Sequence, residues 1–213
     1  QRSLVGSEMC IRDRTMTVPA RYWRRAVCLT DAVMEKWKTL GSEYLFRRPW
    51  LTVRKDRLQL PNGVVHNEYY VLEYPTWVNV IARTRDGRFV MVEQYRHGLD
   101  DIFTELVAGV AEEGEDPIEA AKRELLEESG YAGGEWSLSM VISANPTSHN
   151  NMSYCFIAEG VELVSGQHLD ETEDICVHLL TVDEVRSMLI NDEIKQSLMA
   201  APLWKYFALN NLL

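Results

Sequence analysis

An α/β chain is expected: a three-layer α/β/α sandwich around a mixed sheet, with a β-hairpin in front of it. Residues 51–60 alternate apolar and polar, Pro61-Asn62-Gly63 makes a turn, and 64–74 runs back as a second strand. Strand-like runs then fall before and after one sharply punctuated helix at 117–129. Two amphipathic helices follow the last strand-like run and supply cover for the second face of the sheet. The chain therefore divides into a leader (1–33), an N-terminal segment with the hairpin (34–74) and the main domain (75–213).

Taken in order, residues 1–15 show no clean period and no apolar signal-peptide core. The string SLVGSEMCIRDR resembles translated sequencing-adapter text. Residues 1–33 are expected to be a non-native or disordered leader, with Met16 or Met34 as the natural start. After the hairpin come strands at 77–82 and 88–94, joined at Arg85-Asp86-Gly87. Residues 104–109 lead into the central helix. Asp116 caps that helix, Pro117 suits its first turn, Glu119 stands where a capping-box partner belongs, and Gly130 supplies a left-handed stop. Ile118, Ala121 and Leu125 share its apolar face.

Strands are expected at 137–143 and 153–159. The loop between them carries Pro146, His149, Asn150 and Asn151, which face a ligand or simply satisfy a turn. An acidic loop, 168–174, precedes a strand at 175–180. Thr181 caps a helix to 190. A last helix, 192–209, is expected to pack Leu198, Leu203, Trp204 and Phe207.

Composition narrows the function. The 213 residues suffice for one domain with extensions, and 46% are apolar, enough for a sizeable core. A net charge of −10 argues against nucleic acid or an acidic membrane held by charge alone. No apolar run of about 18 residues exists to span a bilayer. Cys10, Cys28, Cys155 and Cys176 lack metal-ligand spacing and read as free thiols of a reducing cytoplasm.

The chemistry concentrates on the central helix. Glu124, Glu127 and Glu128 share one face, and Arg123 lies one turn before Glu127, within pairing distance. Three carboxylates so placed are either a solvated acidic surface or a site for a hard cation. A Gly-containing loop ahead of the helix lets backbone carbonyls approach the same spot, and oxygen ligands suit Mg²⁺ or Mn²⁺.

The stretch 109–131 resembles the signature of the Nudix hydrolases. Gly109, Glu115, Arg123, Glu124, Leu125, Glu127, Glu128, Gly130 and Tyr131 stand at its spacing, with Tyr131 where an aliphatic is more usual. The resemblance implies a Nudix-type sandwich in which Glu124, Glu127, Glu128 and the Ala108 carbonyl hold Mg²⁺, or Mn²⁺. Arg123 would orient Glu127.

Further marks resemble the ADP-ribose pyrophosphatase branch. Gln94-Tyr95-Arg96 matches a segment whose Arg approaches substrate phosphate, and Glu105 and Gly109 would lie against substrate. Pro146 falls where a Pro accompanies ADP-ribose-type substrates. The acidic loop would carry the catalytic base, Glu171 by position and Glu173 next. The N-terminal hairpin would cross to a second subunit of a homodimer. The implied activity is metal-dependent hydrolysis of a nucleoside diphosphate linked to X, with ADP-ribose or another ADP-sugar first. A Nudix enzyme for GDP-mannose or a dinucleoside polyphosphate, and a non-catalytic ADP-ribose-sensing module, are the alternatives.

Overall fold

A computed structural model describes residues 34–213. The expected leader, with Met16, Cys10 and Cys28, lies outside the described residues.

The first unit is a three-stranded antiparallel sheet in the order β1-β2-β3 (Lys38–Arg48, Leu51–Gln59, Val65–Glu73). The expected hairpin is β2–β3. Its turn is closed by Leu60 and Gly63, the latter at φ 85°, and by the Asn62 carboxamide accepting from the Val64 N–H. Strand β1 was not foreseen. Register shifts at Thr39/Gly41 and Tyr44/Phe46 break its alternation, and every residue of it is exposed. Neither face therefore carries a period-two signal.

The second unit is a seven-stranded mixed sheet. β4 (Trp77–Thr84), β5 (Phe89–Arg96), β6 (Asp101–Val110), β7 (Tyr131–Ala132), β8 (Glu135–Ile142), β9 (Ser153–Leu163) and β10 (Ile175–Leu180) form it. The order is β10-β5-β6-β4-β9-β7, with β8 on β9; β4 and β9 run parallel. Helix α1 (Pro117–Ser129) covers one face with Ala120, Ala121 and Leu125 against Val80, Val92 and Val107. Helices α2 (Val182–Ile190) and α3 (Ser197–Leu209) cover the other with Val185, Leu189, Leu203 and Phe207 against Ile81, Phe89 and Met91. The sandwich is thus the one expected.

Three details differ. β6 forms a full strand where only a lead-in was expected, because Asp101, Glu105, Ala108 and Gly109 dilute its β signal. Helix α3 starts later than 192, since Asp192 sits at φ 57° and ends the preceding run. Trp204 is only partly covered and stays out of the core, and Tyr206 takes the buried place instead.

The two units are clasped by the loop 145–151. Leu72 donates to the Ser148 carbonyl at 2.7 Å, and the Asn150 carboxamide accepts from the Tyr74 N–H at 3.1 Å. Asn151 donates to the Pro75 carbonyl at 2.8 Å. His149 packs on Tyr74 and Trp77, with ring centroids 5.0 and 5.9 Å away. Asn150 and Asn151 thus satisfy backbone groups of the junction.

Candidate active site

The site forms where β6 changes neighbours. Its residues 101–106 pair with β5, whereas 107–110 pair with β4. Ala108 and Val110 are two apart, so their N–H groups leave the same edge of the strand. Both meet α1: Ala108 donates to Glu128 Oε2 at 3.2 Å and Val110 to Glu124 Oε1 at 3.3 Å. In a strand a residue's carbonyl shares the edge of its own N–H, so the Ala108 carbonyl faces this edge too. Gly109 stands between them for a steric reason. A Cβ there would overlap the Glu124 carboxyl.

Helix α1 is placed by its ends. Asp116 accepts from the Ile118 N–H at 3.1 Å, and Gly130, at φ 74°, returns its N–H to Leu126. Glu119 pairs with Lys122 at 2.8 Å rather than closing a capping box. Arg123 is the hub. Its guanidinium holds both oxygens of Glu115 at 3.1 and 3.0 Å, reaches Glu124 at 2.9 Å and Glu127 at 3.0 Å, and donates to the Val110 carbonyl at 2.9 Å. These partners hold its pKa well above the ordinary range, the Glu115 hydrogen bonds foremost. The loop before the helix is thereby tied to it.

Glu128 is only 5% exposed. Burial pushes its pKa up to about 8, and the charges of Glu124 and Glu173 push the same way; the Ala108 N–H and the Arg96 charge oppose. Glu124 is raised as well, by burial first, against the pull of Arg123. Glu127 is the most exposed carboxylate of the three. Among the described residues no three His, Cys, Asp or Glu side chains converge tightly enough to hold a metal ion as they stand. Arg123 draws Glu124 and Glu127 to itself, and Glu128 turns to the Ala108 N–H.

Arg96, at the end of β5, faces the same region. Its Nε and Nη2 donate to Glu105 Oε2 at 2.9 and 2.6 Å, and Gln94 donates to that oxygen at 3.2 Å. Glu105 is buried in the sheet, so Arg96 is anchored from below while its side chain stays partly open. Two clefts meet at Arg96. One, of about 450 Å³, is lined by His97, Leu99, Phe103, Glu105 and Lys195. The other, of about 250 Å³, is lined by Trp77, Asn79, Gly109, Ser153 and Gln196. His97 is a rim residue whose Nδ1 lies 3.1 Å from the Tyr95 hydroxyl. A larger cleft of about 550 Å³ opens at the far end of the sheet around Arg83 and Arg85. Its two arginines are paired, Arg85 with Glu162 at 3.1 Å and Arg83 with Glu159 at 3.6 Å, and no α1 carboxylate lines it.

The acidic loop starts beside α1. Gln167 donates to the Glu128 carbonyl at 2.7 Å, and the His168 N–H to the Glu127 carbonyl at 2.8 Å, closing open carbonyls of the last helical turn. Glu173 accepts from the Asp170 N–H at 3.0 Å, and its charge acts on Glu128. Glu171 is exposed and makes no hydrogen bond or ion pair among the described residues. Sequence reasoning missed Gln167, Asn79, Lys195 and Gln196. None stands in a motif, and each reaches the site only through the tertiary fold.

The site is thus a helix that presents acidic side chains to the bare edge of a strand, with a single Arg tying it to the preceding loop. A NUDIX domain model matches residues 73–201, and the chain belongs to the Nudix family of hydrolases. A nucleoside diphosphate sugar hydrolase N-terminal domain matches residues 37–72, which span β1 to β3. The methanol dehydrogenase activator of Bacillus methanolicus is 32% identical over 161 residues, covering 75% of this chain and 86% of its own. The ADP-ribose pyrophosphatase of Bacillus subtilis is 28% identical over 158 residues, covering 74% and 85%. A crystal structure of an ADP compounds hydrolase shares the fold, with a TM-score of 0.72 at 20% identity, over 85% of this chain and 100% of that one. No helix among the described residues is long and apolar enough to cross a membrane.

Proposed function

We propose that the protein hydrolyses the pyrophosphate of a nucleoside diphosphate linked to X, with ADP-ribose or another ADP-sugar as substrate and AMP and a sugar phosphate as products. The observation that carries this reading is the meeting of Glu124 and Glu128, at the bare edge of β6, with Arg96 close enough for its charge to act on Glu128. The N-terminal module and the Bacillus subtilis relative support the nucleotide-sugar substrate.

The donors fit a hard divalent cation. They are all oxygen, they carry excess negative charge, and two of them are largely buried. Glu124, Glu127, Glu128 and the Ala108 carbonyl would hold Mg²⁺, or Mn²⁺. Such an ion, when bound, offsets the charge of the pyrophosphate and lowers the pKa of water. Arg123 keeps Glu127 and Glu124 in place, Arg96 binds a phosphate oxygen, and Glu105 fixes Arg96. The acidic loop supplies the base that takes the proton of water, from Glu171 by position or from Glu173, whose charge acts on Glu128. Gly109 lets the helix and its carboxylates come close to the strand.

The reading includes a cytoplasmic homodimer joined through the N-terminal sheet, and a small-molecule partner without nucleic acid, consistent with the charge of −10. β1 exposes Leu40, Tyr44, Leu45 and Phe46, as a partner-facing strand would.

The test is product release from ADP-ribose, GDP-mannose, NADH, diadenosine polyphosphates and dNTPs, with and without Mg²⁺. AMP formed chiefly from ADP-ribose, and only with metal, is expected. Turnover confined to another member of the panel would overturn the ADP-sugar assignment.

A further inference from the structure

The acidic loop has little to hold it in place. Residues 170–174 are exposed, and within the loop only Leu169 packs on the core. The Glu173 N–H donates to the Asp170 carbonyl and the Asp170 N–H to the Glu173 carboxylate, both at 3.0 Å. These bonds shape a turn without fixing where it sits. Its seat is set at the base of the loop, where the side chain of Gln167 donates twice. Nε2 reaches the Glu128 carbonyl at 2.7 Å and the Ile175 carbonyl at 3.0 Å. Both partners are carbonyls, which take only donors, so the amide has one orientation.

Ile175 is the first residue of β10 and closes the far end of the loop. One planar group therefore joins the entrance of the loop, its exit and the backbone of α1. The chain ahead of it wraps the same helix end: the Val164 N–H donates to the Gly130 carbonyl at 2.9 Å and the His168 N–H to the Glu127 carbonyl at 2.8 Å. The last carbonyls of a helix have no partner within it. Here those of Glu127 and Glu128 are taken by residues 168 and 167. The loop is thus registered on the backbone of the two residues whose carboxylates would hold the cation. Neither element needs the bridge to form. Helix α1 has its own stop at Gly130, and β10 pairs with β5 along its whole length.

We propose that Gln167 is a positioning residue: it holds the acidic loop at a set distance from Glu127 and Glu128, so that the base in the loop reaches the water to be activated. It touches neither substrate nor cation. The inference rests on the pyrophosphatase reading above and adds what sets the reach of its base. A base works only within hydrogen-bond reach of the proton it takes, and a shift of about 1 Å costs on the order of a hundredfold.

The experiment measures AMP release from ADP-ribose with Mg²⁺, using the whole chain. Gln167→Met keeps the length of the side chain and removes both donors. Its kcat should fall by about tenfold to a hundredfold, with KM within about twofold of the parent. Gln167→Glu has the same shape but offers acceptors to two carbonyls, and should fall further. A second readout separates placement of the base from general loss of structure. In an enzyme that already carries Glu171→Gln and Glu173→Gln, Gln167→Met should cost less than about twofold more. A third readout needs no turnover. In the chelated protein the His168 amide should exchange about tenfold faster in Gln167→Met than in the parent. Parent-like kcat in Gln167→Met, an equal loss in the enzyme without the two carboxylates, or unchanged amide exchange each overturn the proposal. If the parent releases no AMP from ADP-ribose, the pyrophosphatase reading falls and takes the positioning role with it. If the parent turns ADP-ribose over and Gln167→Met matches it, only the positioning role falls.

Discussion

Glu128 shows how one side chain joins stability to function. Its carboxyl titrates near 8 in the folded chain and near 4.5 when exposed, because burial disfavours the charge. An acid shifted upward binds its proton more tightly in the folded state. Its contribution to stability is complete below pH 4.5, declines as pH rises, and is gone above about 8. The metal-free protein should therefore lose Tm between pH 5 and 8, by the equivalent of up to a few kcal/mol. In Glu128→Gln this part of the pH slope should vanish while turnover falls by about two orders of magnitude or more. Scanning calorimetry in a chelator checks the first and AMP release the second. An unaltered slope in Glu128→Gln would sink the burial account. Mg²⁺ at pH 8 should raise the Tm of the wild-type protein and leave that of the Gln variant nearly unchanged.

Gly109 belongs to the same scale. A Cβ at this position meets the Glu124 carboxyl, whose retreat would release the Val110 N–H. Gly109→Ala should cost about 1–3 kcal/mol and most of the activity. A variant as stable and as active as the parent would show that Glu124 moves aside freely. The glycine and the carboxylates were legible as a motif; their contact was not, since the two are fifteen residues apart and meet only through the fold.

At the scale of the element, α1 was legible because its signals are local. Asp116, Pro117 and Gly130 fix both ends within the helix's own window. Asp116→Ala should cost about 1 kcal/mol, the usual value of a cap. Gly130→Ala should cost more, because the residue sits at φ 74° and a Cβ would also run into the Ser165 carbonyl. Urea titration of both variants orders the two. The reverse order would mean that the C-terminal end of α1 relaxes around the new methyl. Strands β1 and β6 were not legible, for opposite reasons. β1 has no buried face to impose a period, whereas β6 spends several positions on Glu105, Ala108 and Gly109, which serve the site. Asn79 was hidden more deeply. Its carboxamide is held by the Leu198 carbonyl of α3, which Pro202, lacking an N–H, leaves open.

For the whole molecule, the open question is what covers the N-terminal sheet. β1 is an edge strand with both faces exposed, and Trp50 in the turn after it is 86% exposed. Monomers rarely leave several large apolar side chains of one strand in water together with a long free edge. The loop 145–151 clasps this sheet to the main domain, so a second chain docking there would bear on the loop that carries Pro146. The homodimer reading predicts a dimer by sedimentation equilibrium at micromolar concentration. Phe46→Glu should convert it to monomers. Phe46 is exposed in the single chain, so the substitution should change monomer stability by only about 0.5 kcal/mol or less. Charge placed in a desolvated interface, by contrast, has no partner and costs several kcal/mol. A wild-type protein that sediments as a monomer defeats the reading outright. A Phe46→Glu protein that remains dimeric moves the interface away from β1, and leaves the apolar strand to a different partner.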